Sequence, residues 1–286
     1  MAKRAVFCIS FSYASFFIIS GFLFKEKTPS YFLYSKIKTL LIPYISYLLI
    51  FSAYEFKNLY FNRFHTSNEL WQVFYNMIYG GQMLKGSLGV FWFVSVLFIS
   101  QQILNLILNI VNKRLVLVVM IFIYLFSYLY PLYIKSSLFD ILVVSNALPF
   151  MYIGMLLRNK IHSIKPFLPL ALCLIYFAIS YLYPTSFFID MKSSVFGVPL
   201  LSTIGCVSIF IVLSKFSMMI SGLKSLTSIG TASMTIMFTH QFINIYIARS
   251  IFENQLYIFG FCVIQSFMIH ILIERNRIIK RILIGG

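Results

Sequence analysis

Nine segments of this chain are apolar over about 17–23 consecutive positions, and short polar segments separate them. They run over 5–24, 39–56, 88–111, 115–134, 141–157, 166–183, 197–213, 231–249 and 255–273. Runs of that length predict membrane-spanning helices. The strands of a membrane barrel would alternate apolar and polar positions over about 10 residues, and these runs do not alternate. In lipid a backbone must satisfy its own hydrogen bonds, which a helix does within one segment. The expected fold is all-α, a polytopic transmembrane helix bundle of about nine spans. The polar segments reach about 30 residues at most, too short to bury a core of their own. Residues 1–286 therefore read as a single integral-membrane domain.

Composition excludes a soluble chain: 60% of the residues are hydrophobic and 10% are charged. The net charge of +16 would point to nucleic acid in a soluble protein. Here the distribution of the basic residues gives a different reading. Lys25, Lys27, Lys36, Lys38, Lys113, Arg114, Arg158, Lys160, Lys165, Lys215, Lys224, Arg275, Arg277, Lys280 and Arg281 all fall on one side of the membrane if the first span runs inwards. Five of the seven acidic residues, Glu55, Glu69, Asp140, Asp190 and Glu253, fall on the other. Basic segments stay in the cytoplasm, so the C-terminus is expected there and no nucleic-acid partner is. Lys3 and Arg4 conflict with this, because they precede the first span on its outer side. A cleaved signal peptide is a poor remedy: the run is long, lacks a small-x-small cleavage site and ends in Lys25-Glu26-Lys27. One more helix upstream would remove the conflict.

Polar groups at membrane depth are costly, so they mark sites or helix contacts. His240 lies near the middle of the eighth segment, and Ser233, His240 and Asn244 share one helical face. Two roles stay open for it: handling a proton or orienting a substrate on a polar cavity, or an interhelical hydrogen bond. Gln101, Asn105 and Asn109 recur every four residues in the third segment and read chiefly as packing contacts. Ser266, His270 and Glu274 share a face near the cytoplasmic end of the last segment and read as structural. Segment 57–87 carries Phe61, Phe64, Trp71, Phe74, Tyr75 and Tyr79 among polar residues, which predicts an interfacial, partly helical element. Cys8, Cys173, Cys206 and Cys262 each sit in an apolar run with no CxxC pair, so small core residues are expected and no metal site. There is no Walker A, GxSxG or HExxH motif.

Five phrases in order resemble the acyltransferase 3 family of bacterial membrane proteins: Phe16-Phe-Ile-Ile-Ser20-Gly21-Phe-Leu-Phe, Lys36-Ile-Lys38-Thr-Leu-Leu-Ile-Pro43-Tyr44, Val90-Phe-Trp92-Phe-Val, Leu148-Pro149-Phe-Met-Tyr-Ile-Gly154-Met-Leu-Leu-Arg158 and Ile229-Gly230-Thr-Ala-Ser233-Met-Thr-Ile-Met-Phe-Thr-His240. The resemblance implies about ten helices in the plasma (inner) membrane and transfer of an acyl group, often acetyl, from acetyl-CoA or another acyl-CoA. The acceptor it implies is a hydroxyl of a cell-surface or lipid-linked glycan, with no metal. Lys36 and Lys38 match the basic residues after the family's second helix and are expected to hold the donor phosphates. Trp92 matches the tryptophan opening the third segment, and His240 a late histidine. Trp92 and Asn244 are taken as substrate contacts and His240 as the candidate catalytic residue.

The departure from the family is at the start. The family's first helix carries a basic residue and then a histidine taken as the catalytic base, whereas this chain begins at what resembles the second helix. The expectation is a short reading frame, inactive alone, and in-frame upstream DNA encoding an apolar span with Arg or Lys followed by His would test it. The rival reading is a non-catalytic protein of the same pathway, a lipid-linked oligosaccharide flippase or polymerase. Polymerases of that kind carry essential arginines in a large outer loop, and here the outer segments hold only Arg63 and Arg249 beyond Arg4.

Overall fold

The computed structural model describes residues 13–61, 67–134, 137–222 and 224–285. Lys3, Arg4, Cys8, Arg63 and Phe64, and the start of the first apolar segment, lie outside the described residues. The described chain is all-α apart from one two-stranded hairpin, β1 Ile189–Asp190 and β2 Val195–Phe196, paired antiparallel.

Among the described residues six helices are long and apolar enough to cross a membrane: Pro29–Asn58, Gly86–Ile110, Lys113–Leu132, Leu138–Leu157, Leu201–Met219 and Gln255–Arg275. Within the described residues the other three of the nine apolar segments are helical too. The first is described as α1, Tyr13–Phe22, and the sixth is a shorter helix, Phe167–Leu182. The eighth carries His240, Gln241 and Asn244 and changes winding midway.

The chain forms two compact units, Met1–Pro29 with Ile99–Gly222 and Ser30–Phe98 with Leu223–Gly286. Among the described residues α1 comes first. Then α2 (Pro29–Lys36) runs through a π-helical turn, Ile37–Leu41, into α3 (Ile42–Phe61). The π turn has a local cause. Pro43 has no N–H to give the Thr39 carbonyl, and the helix widens so that the Ile42 N–H reaches the Ile37 carbonyl. Next come α4 (Ser67–Tyr79) and α5 (Phe91–Ile110). The expected helical element in segment 57–87 is α4, and its Trp71, Phe74 and Tyr75 are exposed.

The unit containing α1 also holds α6 (Lys113–Leu129), α7 (Val144–Leu157), α8 (Phe167–Leu182) and α9 (Leu201–Met219), with α6 packed on α7 and α8 on α9. Gly21 on α1 and Gly154 on α7 bring two backbones together. A side-chain carbon at Gly21 would strike the Met151 carbonyl, and one at Gly154 the Ile18 carbonyl. Gly205 on α9 likewise makes room for the Tyr176 ring of α8. The amide stripe on α5 fastens the end of α1 and the loop after it. Gln101 Nε2 donates to Ser20 Oγ at 2.8 Å. Asn105 pairs with both backbone groups of Lys27, at 2.9 and 3.1 Å, and Asn109 reaches the same carbonyl at 3.2 Å. Arg158 Nη1 donates to the Phe24 carbonyl at 3.1 Å. The stripe is thus structural glue within this unit. Cys173, Cys206 and Cys262 are free and buried, as small core residues.

The other unit adds α10 (Lys224–Thr231), then α11 (Ser233–Ile243), a second π turn Asn244–Ala248, α12 (Arg249–Ile251), α13 (Gln255–Arg275) and α14 (Arg277–Leu283). Its core is a ladder of rings. Tyr47 stacks on Phe238 at 4.7 Å, Phe51 on Phe242 at 4.6 Å, and Tyr54 meets Tyr246 at 4.8 Å. Numbers rise together on both helices, so α3 and α11 run parallel. Phe91 closes the ladder, 5.2 Å from Phe238 and 5.6 Å from Tyr44. The bonds from Thr235 to His270 and from Thr239 to Ser266 run the opposite way, so α13 is antiparallel to α11.

Candidate functional site

The ring ladder gives this unit two distinct ends. At the start of α3 lie Lys36, Lys38 and the end of α13. At the far end of α3 lie Tyr54, Glu55 and the second π turn. Both π turns contain residues singled out from the sequence, Lys38 in the first and Asn244 in the second. Single π turns recur at functional sites because they redirect the side chains of one helical turn.

At the first end, Lys36 and Lys38 each lie over the ring four residues earlier. The Lys36 ammonium is 5.4 Å from the Phe32 ring centroid and that of Lys38 is 4.3 Å from Tyr34. Two positions apart on a helix is a rotation of about 200°. The two lysines therefore do not converge, and Lys38 is the more exposed.

His240 lies between the ends, level with the stretch of α3 between Tyr47 and Phe51. It is half-buried, with Nδ1 2.8 Å from the Ile236 carbonyl. A carbonyl oxygen only accepts, so Nδ1 carries the proton of the neutral ring. Nε2 then holds the lone pair of a base. Among the described residues none bonds Nε2. His270 is different. It is buried, with Nδ1 3.0 Å from the Thr235 hydroxyl and Nε2 3.9 Å from a Glu274 oxygen. Both of its nitrogens face protein groups, which suits a helix-to-helix link and leaves no atom for a substrate.

Trp92, in the first turn of α5, is wholly buried. In this conformation it forms wall and offers no surface to a ligand. Asn244 takes up the Arg249 guanidinium, whose Nε donates to Asn244 Oδ1 at 3.2 Å.

The far end holds a polar nest that the sequence did not single out. Glu55 Oε1 accepts from Ser87 Oγ at 2.5 Å, and the Tyr246 hydroxyl meets Glu55 and Asn58. Gln241 Nε2 donates to the Gly86 carbonyl at 3.2 Å. Tyr54, Phe242 and Tyr246 supply rings beside it, with 4.9 Å between the centroids of the last two. The only sequence clue was Glu55 as one of the five acidic residues assigned to the side opposite the basic segments. Its partners Ser87 and Tyr246 lie far along the chain, so no local pattern joins them. Among the described residues no three His, Cys, Asp or Glu side chains gather to hold a metal ion.

A lysine end, a half-buried imidazole with one unbonded ring nitrogen, and a carboxylate–amide nest thus lie in order along one helical unit. A family model described as Acyltransferase domain, the acyltransferase 3 type, matches residues 3–273, and the chain belongs to that family of membrane acyltransferases. No curated protein and no solved structure matches the chain.

Proposed function

We propose that the protein moves an acyl group, acetyl in the first instance, from acyl-CoA on the cytoplasmic side to a hydroxyl of a cell-surface or lipid-linked sugar. In this reading the protein sits in the plasma (inner) membrane of a bacterium with its C-terminus in the cytoplasm. Lys38 lies at the donor end, His240 acts as the base, and the nest of Glu55, Ser87 and Tyr246 faces the acceptor.

The observation that carries this reading is the bond from His240 Nδ1 to the Ile236 carbonyl. It fixes the tautomer and leaves the Nε2 lone pair free to accept a proton. Nε2 removes the proton of the sugar hydroxyl as its oxygen bonds to the thioester carbon. The tetrahedral oxyanion collapses, the carbon–sulfur bond breaks, and the CoA thiolate leaves and takes up a proton. The axial order supports the same assignment. From Lys38 to the level of His240 is about eleven residues of α3, or about 16 Å along the axis. That suits a donor whose phosphates stay at the rim while its long pantetheine arm carries the thioester inwards. Carboxylate, amide and aromatic groups at the other end are the side chains that bind sugar hydroxyls and ring faces.

The test is transfer of radiolabelled acetyl from acetyl-CoA into membrane glycan, with the native chain and with His240→Ala. Label should appear with the native chain and fall by about 10²-fold or more in the variant. Equal labelling by both removes His240 from the chemistry. No label above background with either chain overturns transfer by this chain and favours the inactive short reading frame, or the non-catalytic rival, set out from the sequence.

A further inference from the structure

The last helix, α14, lies beyond residues 3–273 that match the family. It is short and two-sided. Arg277 and Arg281 stand one turn apart on one edge with Lys280 beside them, and Ile278 and Ile282 lie on the other side. Its start is fixed by Asn276, whose side chain accepts from the Ile278 and Ile279 N–H groups at 2.9 and 3.2 Å. Its end is fixed by Gly285. That residue has φ +79°, and a side-chain carbon there would come within 2.5 Å of the Lys38 carbonyl and 2.7 Å of Thr39 Cα. Only glycine fits both the backbone angle and the space. The chain after α14 is therefore seated on the π turn that carries Lys38, and α14 packs on α3.

The charges on this edge are not equivalent. Lys280 is engaged by Glu274 at 3.3 Å. Arg277 and Arg281 are exposed, as is Lys38. Lys36, which the sequence pairs with Lys38, points elsewhere around its helix. A ligand with several phosphates at Lys38 needs further cations, and α14, which packs on α3 and leads into the chain seated against the Lys38 backbone, carries them.

We propose that Arg277 and Arg281 complete an anion-binding rim with Lys38 that takes the phosphates of the nucleotide portion of a CoA-type donor. This deepens the donor reading above and rests on it. A guanidinium fork suits a terminal phosphate monoester, which it can bind through two parallel hydrogen bonds, whereas Lys38 acts as a point charge.

The test uses the full chain in discs of zwitterionic phosphatidylcholine, with CoA and 3′-dephospho-CoA as probes and equilibrium affinity as the readout. The variants are Arg277→Gln with Arg281→Gln; Gly285→Val, which unseats the segment after α14 while keeping every charge; and Lys113→Gln with Arg114→Gln as a charge-matched control. The native chain should bind CoA. The arginine double variant and Gly285→Val should each bind it about tenfold or more weakly, with a smaller loss for 3′-dephospho-CoA, while the control stays at the native value. Native CoA affinity in the arginine double variant overturns the rim and leaves the donor reading standing. Failure of the native chain to bind CoA overturns both. A double variant that keeps its CoA affinity but loses affinity for phosphatidylglycerol vesicles makes the edge a lipid contact and overturns the proposal.

Discussion

The Thr235 hydroxyl and the His270 Nδ1 lie 3.0 Å apart, and both side chains are buried where α11 meets α13. The Glu274 carboxylate on the other side of the imidazole favours a proton at Nε2, which makes Nδ1 the acceptor of the hydroxyl. The next turn repeats the contact, with the Thr239 hydroxyl 2.8 Å from both Ser266 Oγ and the Thr235 carbonyl. This ladder holds the helix that carries His240.

Thr235→Ala strands the buried Nδ1. Interhelical bonds in membrane bundles average about 0.6 kcal/mol, and leaving a buried acceptor unpaired costs about 1–3 kcal/mol. A loss of about 1 kcal/mol is expected, read as earlier thermal unfolding in detergent, with Thr235→Ser close to native. If both variants melt with the native protein, the bond carries no stability.

Gly154→Ala tests the other helix contact. Its methyl meets the Ile18 carbonyl, and backbone cannot rotate away as a side chain can. Overpacking of this kind costs about 1–3 kcal/mol or more. The variant should accumulate poorly in membranes and unfold early. Gly222→Ala serves as the control, because nothing lies within 4 Å of the added carbon. Matching behaviour of the two variants would mean that α1 and α7 are not in contact.

Asn105→Leu removes two of the three side-chain hydrogen bonds to the Lys27 backbone, leaving that of Asn109, while filling much the same space. The loop after α1 should become a site of rapid protease cleavage near Lys25 and Lys27, with little change in the unfolding temperature of the bundle. Unchanged cleavage would leave the amide stripe without its holding role.

The helices were legible in the sequence because lipid makes length and apolarity nearly sufficient. The limits of that signal show where polar residues enter a span. The segment with His240, Gln241 and Asn244 is helical yet changes winding, and Pro43 produces a π turn inside what reads as the start of a span. The role of Gln101, Asn105 and Asn109 was legible as a stripe, since four-residue spacing on a helix fixes one face. The Gly21 and Gly154 contact was not, because the glycines lie on different helices and leave no GxxxG on either. The site was legible in part. His240 could be picked out as a polar group at depth, but its tautomer depends on the Ile236 carbonyl, which sequence cannot display. Lys36 and Lys38 look like a pair in one dimension and diverge in three. Glu55 and its partners meet only when α3, the second π turn and the turn before α5 come together.

Glu55→Gln separates the two ends of the site. The substitution keeps size and one acceptor oxygen but removes the charge that Ser87 and Tyr246 face. Should the nest hold the sugar, the acceptor loses a charge-assisted hydrogen bond, worth about 1.5–3 kcal/mol. The KM for acceptor should then rise about tenfold or more, while the KM for acyl-CoA stays native, because the proposed donor rim is at the opposite end of α3. Lys38→Gln should do the reverse, raising the donor KM and sparing the acceptor. A rise in both constants for either variant would mean that the substitution disturbs the whole unit. Unchanged acceptor KM in Glu55→Gln would leave the nest as a helix-end contact and move acceptor binding elsewhere.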